Sequence, residues 1–157
     1  MLPSDTVKCG PMASDQYTTH IVSWQDAQTQ LSAIRSTVFI QEQNVPEALE
    51  WDGADAYASH VLACDAKGKA IGTARLLLHG NRAHIGRMAV LKAWRKQGVG
   101  SALLACVIAE ALRRGASAAF LNAQTTAVAF YARAGFVLEG VEFLDAGIPH
   151  YRMTRRF

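Results

Sequence analysis

The residue spacing with the most chemical content lies between positions 85 and 101. Ile85-Gly86-Arg87-Met88-Ala89-Val90 is a strand-like run, and Trp94-Arg95-Lys96-Gln97-Gly98-Val99-Gly100-Ser101 follows it. Leu103, Leu104, Val107, Ile108 and Leu112 then recur at helical spacing. A strand, a loop with two glycines and a helix start make an anion site. The first N–H groups of a helix lack intrahelical partners, and the helix dipole favours negative charge there. Gly98 and Gly100 have no Cβ, so backbone can approach a phosphate closely. Arg95 and Lys96 add positive charge beside it. A Walker A loop would need a lysine between Gly100 and Ser101. A dinucleotide fingerprint would need a third glycine where Leu103 stands. The plain alternative is a glycine-rich turn ahead of a core helix.

The elements that must position this loop follow from periodicity. Tyr17 to Trp24 is strand-like, rich in Thr, Ile and Val. Asp26 is placed to cap a helix from about Ala27 to Val38, which Asn44 and Pro46 stop. An irregular acidic stretch with Glu47, Glu50, Asp52 and Asp55 follows. Ser59 to Cys64, Ala70 to Leu78 and Ala83 to Leu91 read as an antiparallel meander, turning at Asp65-Ala66-Lys67-Gly68 and His79-Gly80-Asn81-Arg82. A helix from about Gly98 to Arg114 ends at Gly115. Then come a strand over Ala118 to Asn122, a helix over Thr125 to Ala134, and strands over Phe136 to Leu144 and Ile148 to Thr154. Strands joined by helices in the second half imply a parallel pair within a mixed sheet.

Composition is consistent with one domain. The chain has 157 residues, half of them hydrophobic and 18% charged, with a formal net charge of +3. That excess suits acidic small ligands, and without a basic stripe it does not indicate nucleic acid. No apolar run nears the roughly 18 residues that span a bilayer. Met1 to Gln16 has no apolar core of a signal peptide and reads as a loose tail, leaving 17–157 as the domain. Cys9, Cys64 and Cys106 form no CxxC pair, and three thiols in a cytoplasmic, reducing setting are expected. The five histidines show no metal-ligand spacing, and His60 reads as a hydrogen-bonded sheet residue.

Arg95-x-x-Gly98-x-Gly100 resembles the pyrophosphate loop of the GNAT N-acetyltransferase superfamily. Leu121-Asn122-Ala123-Gln124 and Ala129-Phe130-Tyr131-Ala132-Arg133-Ala134-Gly135-Phe136 resemble the strand and helix that carry that superfamily's active-site Asn and Tyr. Val38 to Pro46 and Gly147-Ile148-Pro149-His150-Tyr151-Arg152-Met153 look like its ElaA-like branch. The resemblance covers about Tyr17 to Met153. It implies an α/β (α+β) GNAT fold: a mixed, mostly antiparallel central sheet with a splayed parallel strand pair, flanked by helices.

The resemblance also implies acetyl-CoA as cosubstrate, no metal, and direct acetyl transfer to a primary amine of a small molecule or a protein. The loop 95–101 (Arg95, Lys96, Gln97, Gly98, Val99, Gly100, Ser101) would hold the pyrophosphate. Backbone groups of Met88, Ala89 and Val90 would meet the pantetheine arm and the developing oxyanion. Tyr131 would assist the leaving thiolate, beside Phe130, while packing in the core is the plain reading of both rings. Asn122 would bond pantetheine, or cap a strand end; Arg133 would reach CoA phosphates, or stay solvated. The strand run 85–89 lacks the carboxylate that many relatives place there. The base is thus open among Glu42, Asp52, His84, Glu142 and His150, or an ordered water chain. Trp51 with Glu50, Asp52 and Asp55 suggests an acidic, aromatic-edged pocket for a cationic amine, with Glu42 near it; a solvated loop pinned by one tryptophan competes. Homodimers are common in the superfamily. A silent CoA-binding sensor or scaffold is the alternative to an enzyme.

Overall fold

The computed structural model describes residues 6–9 and 15–157. A two-residue strand, β1 (Val7–Lys8), pairs antiparallel with β2 (Tyr17–Val22) through Val7↔Ile21 and Lys8↔His20. Part of the stretch expected as a loose tail is therefore a sheet edge; residues 1–5 and 10–14 lie outside the described ones. The Cys9 N–H donates to Thr19 O at 3.0 Å, which holds Cys9 against the sheet, and Cys9 is joined to Cys106 in a disulfide. This corrects the expectation of three thiols. Only a strand before Tyr17 brings Cys9 to Cys106, and no sequence pattern announces that strand. Cys64 is free and buried.

Helix α1 (Trp24–Arg35) starts at Ser23, not at Asp26. The Asp26 N–H donates to Ser23 Oγ at 3.2 Å, so the hydroxyl caps and the acid sits in the first turn, where the dipole favours it. Ala27, Leu31 and Ile34 face the sheet and are almost fully buried. Helical winding does not stop near Val38. Ser36–Glu42 continues as a π-helix, whose Gln43 N–H reaches Val38 O at 3.2 Å. The wider turn puts consecutive Val38 and Phe39 both inside and ends with Glu42 at the surface. A short α2 (Glu47–Glu50) follows Pro46.

β3 (Ser59–Asp65), β4 (Ala70–His79) and β5 (Arg82–Val90) form the expected meander. Asp65 Oδ1 accepts from the N–H groups of Lys67 and Lys69, both at 2.9 Å, which closes the first hairpin. Then come α3 (Val99–Arg113), β6 (Ala118–Gln124), a 3₁₀ turn over Thr125–Ala127 with α4 (Val128–Arg133), β7 (Val137–Asp145) and β8 (Ile148–Arg156). The eight strands are ordered β1-β2-β3-β4-β5-β6-β8-β7, and β5 with β6 is the parallel pair.

Alternation along β3 sets the two layers. Val61 and Ala63 pack with α3 residues such as Leu103 and Val107, while Leu62 and Cys64 pack with α1 residues such as Leu31. Gly72 on β4 permits the close approach of α3. A Cβ there would lie 2.9 Å from Leu103 Cδ1 and 3.2 Å from Ala89 O.

Two irregularities on β5 open the sheet. Between the pairs Thr73↔Ala89 and Arg75↔Gly86, Ala74 faces two β5 residues, Arg87 and Met88. That is a β-bulge, and Arg87 sits in it with φ +51°. On its other side, β5 pairs with β6 only through Arg82↔Ala118, Ala83↔Ala119 and His84↔Phe120. Both strands run on, but their ladder ends there. The kink at 87–88 turns β5 away, and a wedge opens between the strand ends.

Candidate active site

Beyond the wedge, β5 leads into the loop and α3. Gly98 is the residue before α3, with φ +85° and no side-chain cap. An L side chain is strained in that conformation, and a Cβ would also lie 3.1 Å from the Tyr17 hydroxyl. That hydroxyl donates to Gln97 O at 3.4 Å, and Gln97 Nε2 donates to Ala93 O at 2.9 Å. Lys96, at φ +61°, also takes the left-handed region. The Ala102 N–H is the first to be satisfied inside the helix, by Gly98 O at 3.0 Å. The N–H groups of Val99, Gly100 and Ser101 thus precede the helical ladder, which is the geometry an anion needs.

Arg95 does not stand free beside the loop. Its Nε donates to Val90 O at 2.9 Å and its NH2 to Glu42 Oε2 at 2.7 Å. Glu42, expected near the acceptor, instead ties the end of the π-helix to the loop. Ser101, Phe130 and Arg133 line one groove of about 430 Å³ between α3 and α4, with Leu104 and Ile108 as its apolar floor. Arg133 is exposed and faces that groove.

A second cleft, of about 410 Å³, opens where β5 and β6 part. Met88, Leu121, Asn122 and Tyr131 line it, with His84 and Arg75 along the sheet and Asp145 to His150 at the β7–β8 turn. Asn122 lies inside β6, exposed to the cleft, and not at a strand end. Tyr131 packs edge-on to Phe130, with ring centroids 5.0 Å apart. No hydrogen bond engages its hydroxyl among the described residues. Burial pushes its phenol up to about 12, so it stays protonated over any working pH.

Glu50 and Asp52 of the expected acidic, aromatic pocket line this cleft, and Trp51 does not. The acids are consumed by arginines that no sequence motif marks. Arg35, fully buried, donates to Glu50 Oε1 at 2.6 Å and to Asp55 Oδ1 at 2.7 Å. Arg75 forks onto Asp52, at 2.9 Å and 2.7 Å, and reaches Asp55 Oδ1 at 3.1 Å. Arg87 caps the cluster through Glu50 O at 3.0 Å and Asp52 Oδ2 at 3.3 Å. These bonds hold the left-handed bulge in place. The hydrogen bonds from Arg75 keep the Asp52 carboxyl well below the usual carboxylate range. Burial would raise Asp55, but its bonds to Arg35 and Arg75 outweigh this and lower it. Trp51 does not line the cleft; its ring lies 4.9 Å from the Arg35 guanidinium. His60 is a buried sheet residue as expected, its Nε2 donating to Asp55 O at 3.0 Å.

The candidate bases separate in the same way. Asp52 and Glu42 are held by arginines. Glu142 is exposed on β7 and does not line the cleft. Burial, with Arg75, His79, Arg152 and Arg87 nearby, pushes His84 down to about 4. His150 is buried at the cleft wall. No helix among the described residues is long and apolar enough to cross a membrane. No group of three His, Cys, Asp or Glu among them is placed to hold a metal ion.

Comparison with known proteins gives this arrangement a family. The model of the acetyltransferase (GNAT) domain matches residues 15–157. An uncharacterised N-acetyltransferase of Bacillus subtilis, YjcF, is 40% identical over 123 residues, 78% of this chain and 87% of that protein. Among solved structures, an acyl-CoA N-acyltransferase from Pseudomonas aeruginosa superposes with a TM-score of 0.78 at 30% identity, covering 88% of this chain and 99% of that one. ElaA of Escherichia coli superposes with a TM-score of 0.81 at 25% identity, covering 89% and 99%. The PaiA N-acetyltransferase of Thermoplasma acidophilum, solved with coenzyme A, shares the fold at a TM-score of 0.67 and 16% identity, covering 88% and 99%. The chain belongs to the GNAT acetyltransferase family and is an N-acetyltransferase.

Proposed function

We propose that this protein moves an acetyl group from acetyl-CoA directly to a primary amine, with Tyr131 assisting departure of the CoA thiolate. The observation that carries this reading is a single run of geometry. The unpaired helix start at 99–101 is linked to the Tyr131 ring at the wedge through Phe130, which lies beside Gly100 and packs edge-on to Tyr131. The residues fit the cosubstrate. The lack of a Cβ at Gly98 and Gly100 favours close approach of a pyrophosphate to the unpaired N–H groups of α3, and Ser101 and Arg133 line the groove beyond. Met88 lines the wedge, where a pantetheine arm would run along the end of β5; Asn122 of β6 faces it, its amide without a hydrogen-bond partner among the described residues.

In this reading a neutral amine attacks the thioester carbonyl from the cleft. The oxyanion of the tetrahedral adduct takes a backbone N–H from Ala89 or Val90. The carbon–sulfur bond then breaks, and the Tyr131 hydroxyl donates to the sulfur. The acceptor is a small-molecule or peptide amine. Its recognition does not run through free acids at 50–55, because Arg35, Arg75 and Arg87 hold them.

The test is consumption of acetyl-CoA thioester against a set of primary amines. Thioester loss should require the amine and match amide formed one for one. A protein that binds CoA but leaves the thioester intact with every amine would instead be a silent sensor.

A further inference from the structure

We infer that His150 is the general base that takes the proton from the attacking amine through its Nε2. This rests on the acetyl-transfer reading and supplies the group which that reading leaves open. His150 lies at the start of β8, directly after the turn that overhangs the cleft, and it lines that cleft together with Tyr131 and Met88. Its Nδ1 is 2.6 Å from Ile148 O. A carbonyl oxygen only accepts, so Nδ1 carries the hydrogen and the neutral ring has its lone pair on Nε2. Nε2 has no hydrogen-bond partner among the described residues, and it is not among the buried orphan atoms. It is therefore accessible to solvent, on a residue that lines the cleft. The Phe143 ring stacks on the imidazole at 5.9 Å and 25°, and Gln124 faces it across the β6–β8 ladder. The ring is thus fixed in tautomer and plane, with one nitrogen available. That is what a base needs and what a merely packed histidine does not.

The other titratable groups around the cleft are unsuited. Glu50 and Asp52, from the α2 side, are bound by Arg87 and Arg75. On β5, His84 is pushed down to about 4 by burial and neighbouring arginines, too weak for an ammonium acceptor. Tyr131 on α4 is held protonated by its burial. Asp145 on β7 also lines the cleft, but it is exposed at the turn, where water competes for it. Arg152, next along this face of β8, lies over the Phe120 ring at 4.3 Å and accepts no proton, being already a cation. An imidazole is the strongest neutral base that remains.

Protons and bonds balance in this step. The amine arrives as an ammonium and gives one proton to His150 Nε2, which passes it to water through the open cleft. The free amine forms the carbon–nitrogen bond. The cationic adduct nitrogen loses its second proton by the same route as the carbon–sulfur bond breaks. The thiolate takes a proton from Tyr131, which is restored from solvent. One amide, one CoA thiol and one net proton result.

The experiment compares wild type, His150→Gln, His150→Ala and Asp145→Asn. Initial rates are measured with acetyl-CoA and propylamine, glucosamine or a lysyl peptide, from about pH 5.5 to 9.5, with CoA affinity measured in parallel. In wild type, the pH profile of kcat/KM should show one inflection besides that of the amine. His150→Gln should lose about 10²-fold in kcat/KM at neutral pH and lose that inflection, with CoA affinity unchanged. Added imidazole should restore part of the His150→Ala rate, and loss of the inflection in Asp145→Asn rather than in His150→Gln would assign the base to Asp145 and overturn the proposal. An unchanged rate, or a uniform loss that keeps the inflection and resists imidazole, overturns the assignment while transfer itself stands. Wild type that acetylates none of the amines overturns the transfer reading and this base with it.

Discussion

A phenol pushed up to about 12 is a weak acid in the resting protein but a dependable donor, because it is never ionised when the thioester arrives. The Tyr131 hydroxyl has no partner to surrender among the described residues, so its hydrogen bond is available to sulfur. Tyr131→Phe keeps the ring packed against Phe130 and Phe136 and removes only that bond. Turnover should fall about 10²-fold, with CoA affinity little changed. The loss should shrink with a donor whose leaving thiol is more acidic. Steady-state rates of both proteins with both donors measure this. Equal rates remove Tyr131 from the chemistry, and an equal loss with both donors makes it a positioning residue.

At the scale of elements, the acid side of the cleft is built by α1, α2 and the bulge of β5 acting together. Arg35 lies where α1 passes into the π-helix. Its guanidinium joins Glu50 of α2 to Asp55, and both carboxylates are buried. Removing one partner of a buried pair leaves uncompensated charge. Arg35→Leu should therefore cost about 3 kcal/mol or more, read as a lower urea midpoint. An unchanged midpoint would show that Arg75 and Arg87 suffice for the cluster. The meander, α3 and the parallel crossover are legible in the sequence because each shows a regular period and a turn residue. The π-helix is not, because residues 36–42 read as a plain continuation of α1, with no residue that marks the wider turn. Nor is the bulge, since Arg87 looks like any strand residue until its guanidinium is seen binding Glu50 and Asp52. The acids at 50–55 look free in the sequence for the same reason: their partners Arg35 and Arg75 are 15 to 23 residues away.

For the whole molecule, the loop at 95–101 is where distant segments converge. Tyr17 of β2 reaches Gln97 O across 80 residues, and Glu42 reaches Arg95 across 53. Sequence spacing marks the loop itself, because glycines at a helix start have few other uses; it does not mark these two supports, which only the closed sheet brings near. The central claim is that this loop holds the CoA pyrophosphate. A Cβ at Gly100 would sit 3.5 Å from Phe130 Cζ, an ordinary contact, so the fold tolerates a side chain there, while its bulk at the helix start is expected to hinder close approach of a phosphate. The deciding measurement is calorimetric titration of CoA into wild type and Gly100→Val, with circular dichroism to show that the variant is folded. The expected result is a loss of more than about tenfold in affinity, about 1.4 kcal/mol. An unchanged Kd in the folded variant would contradict it.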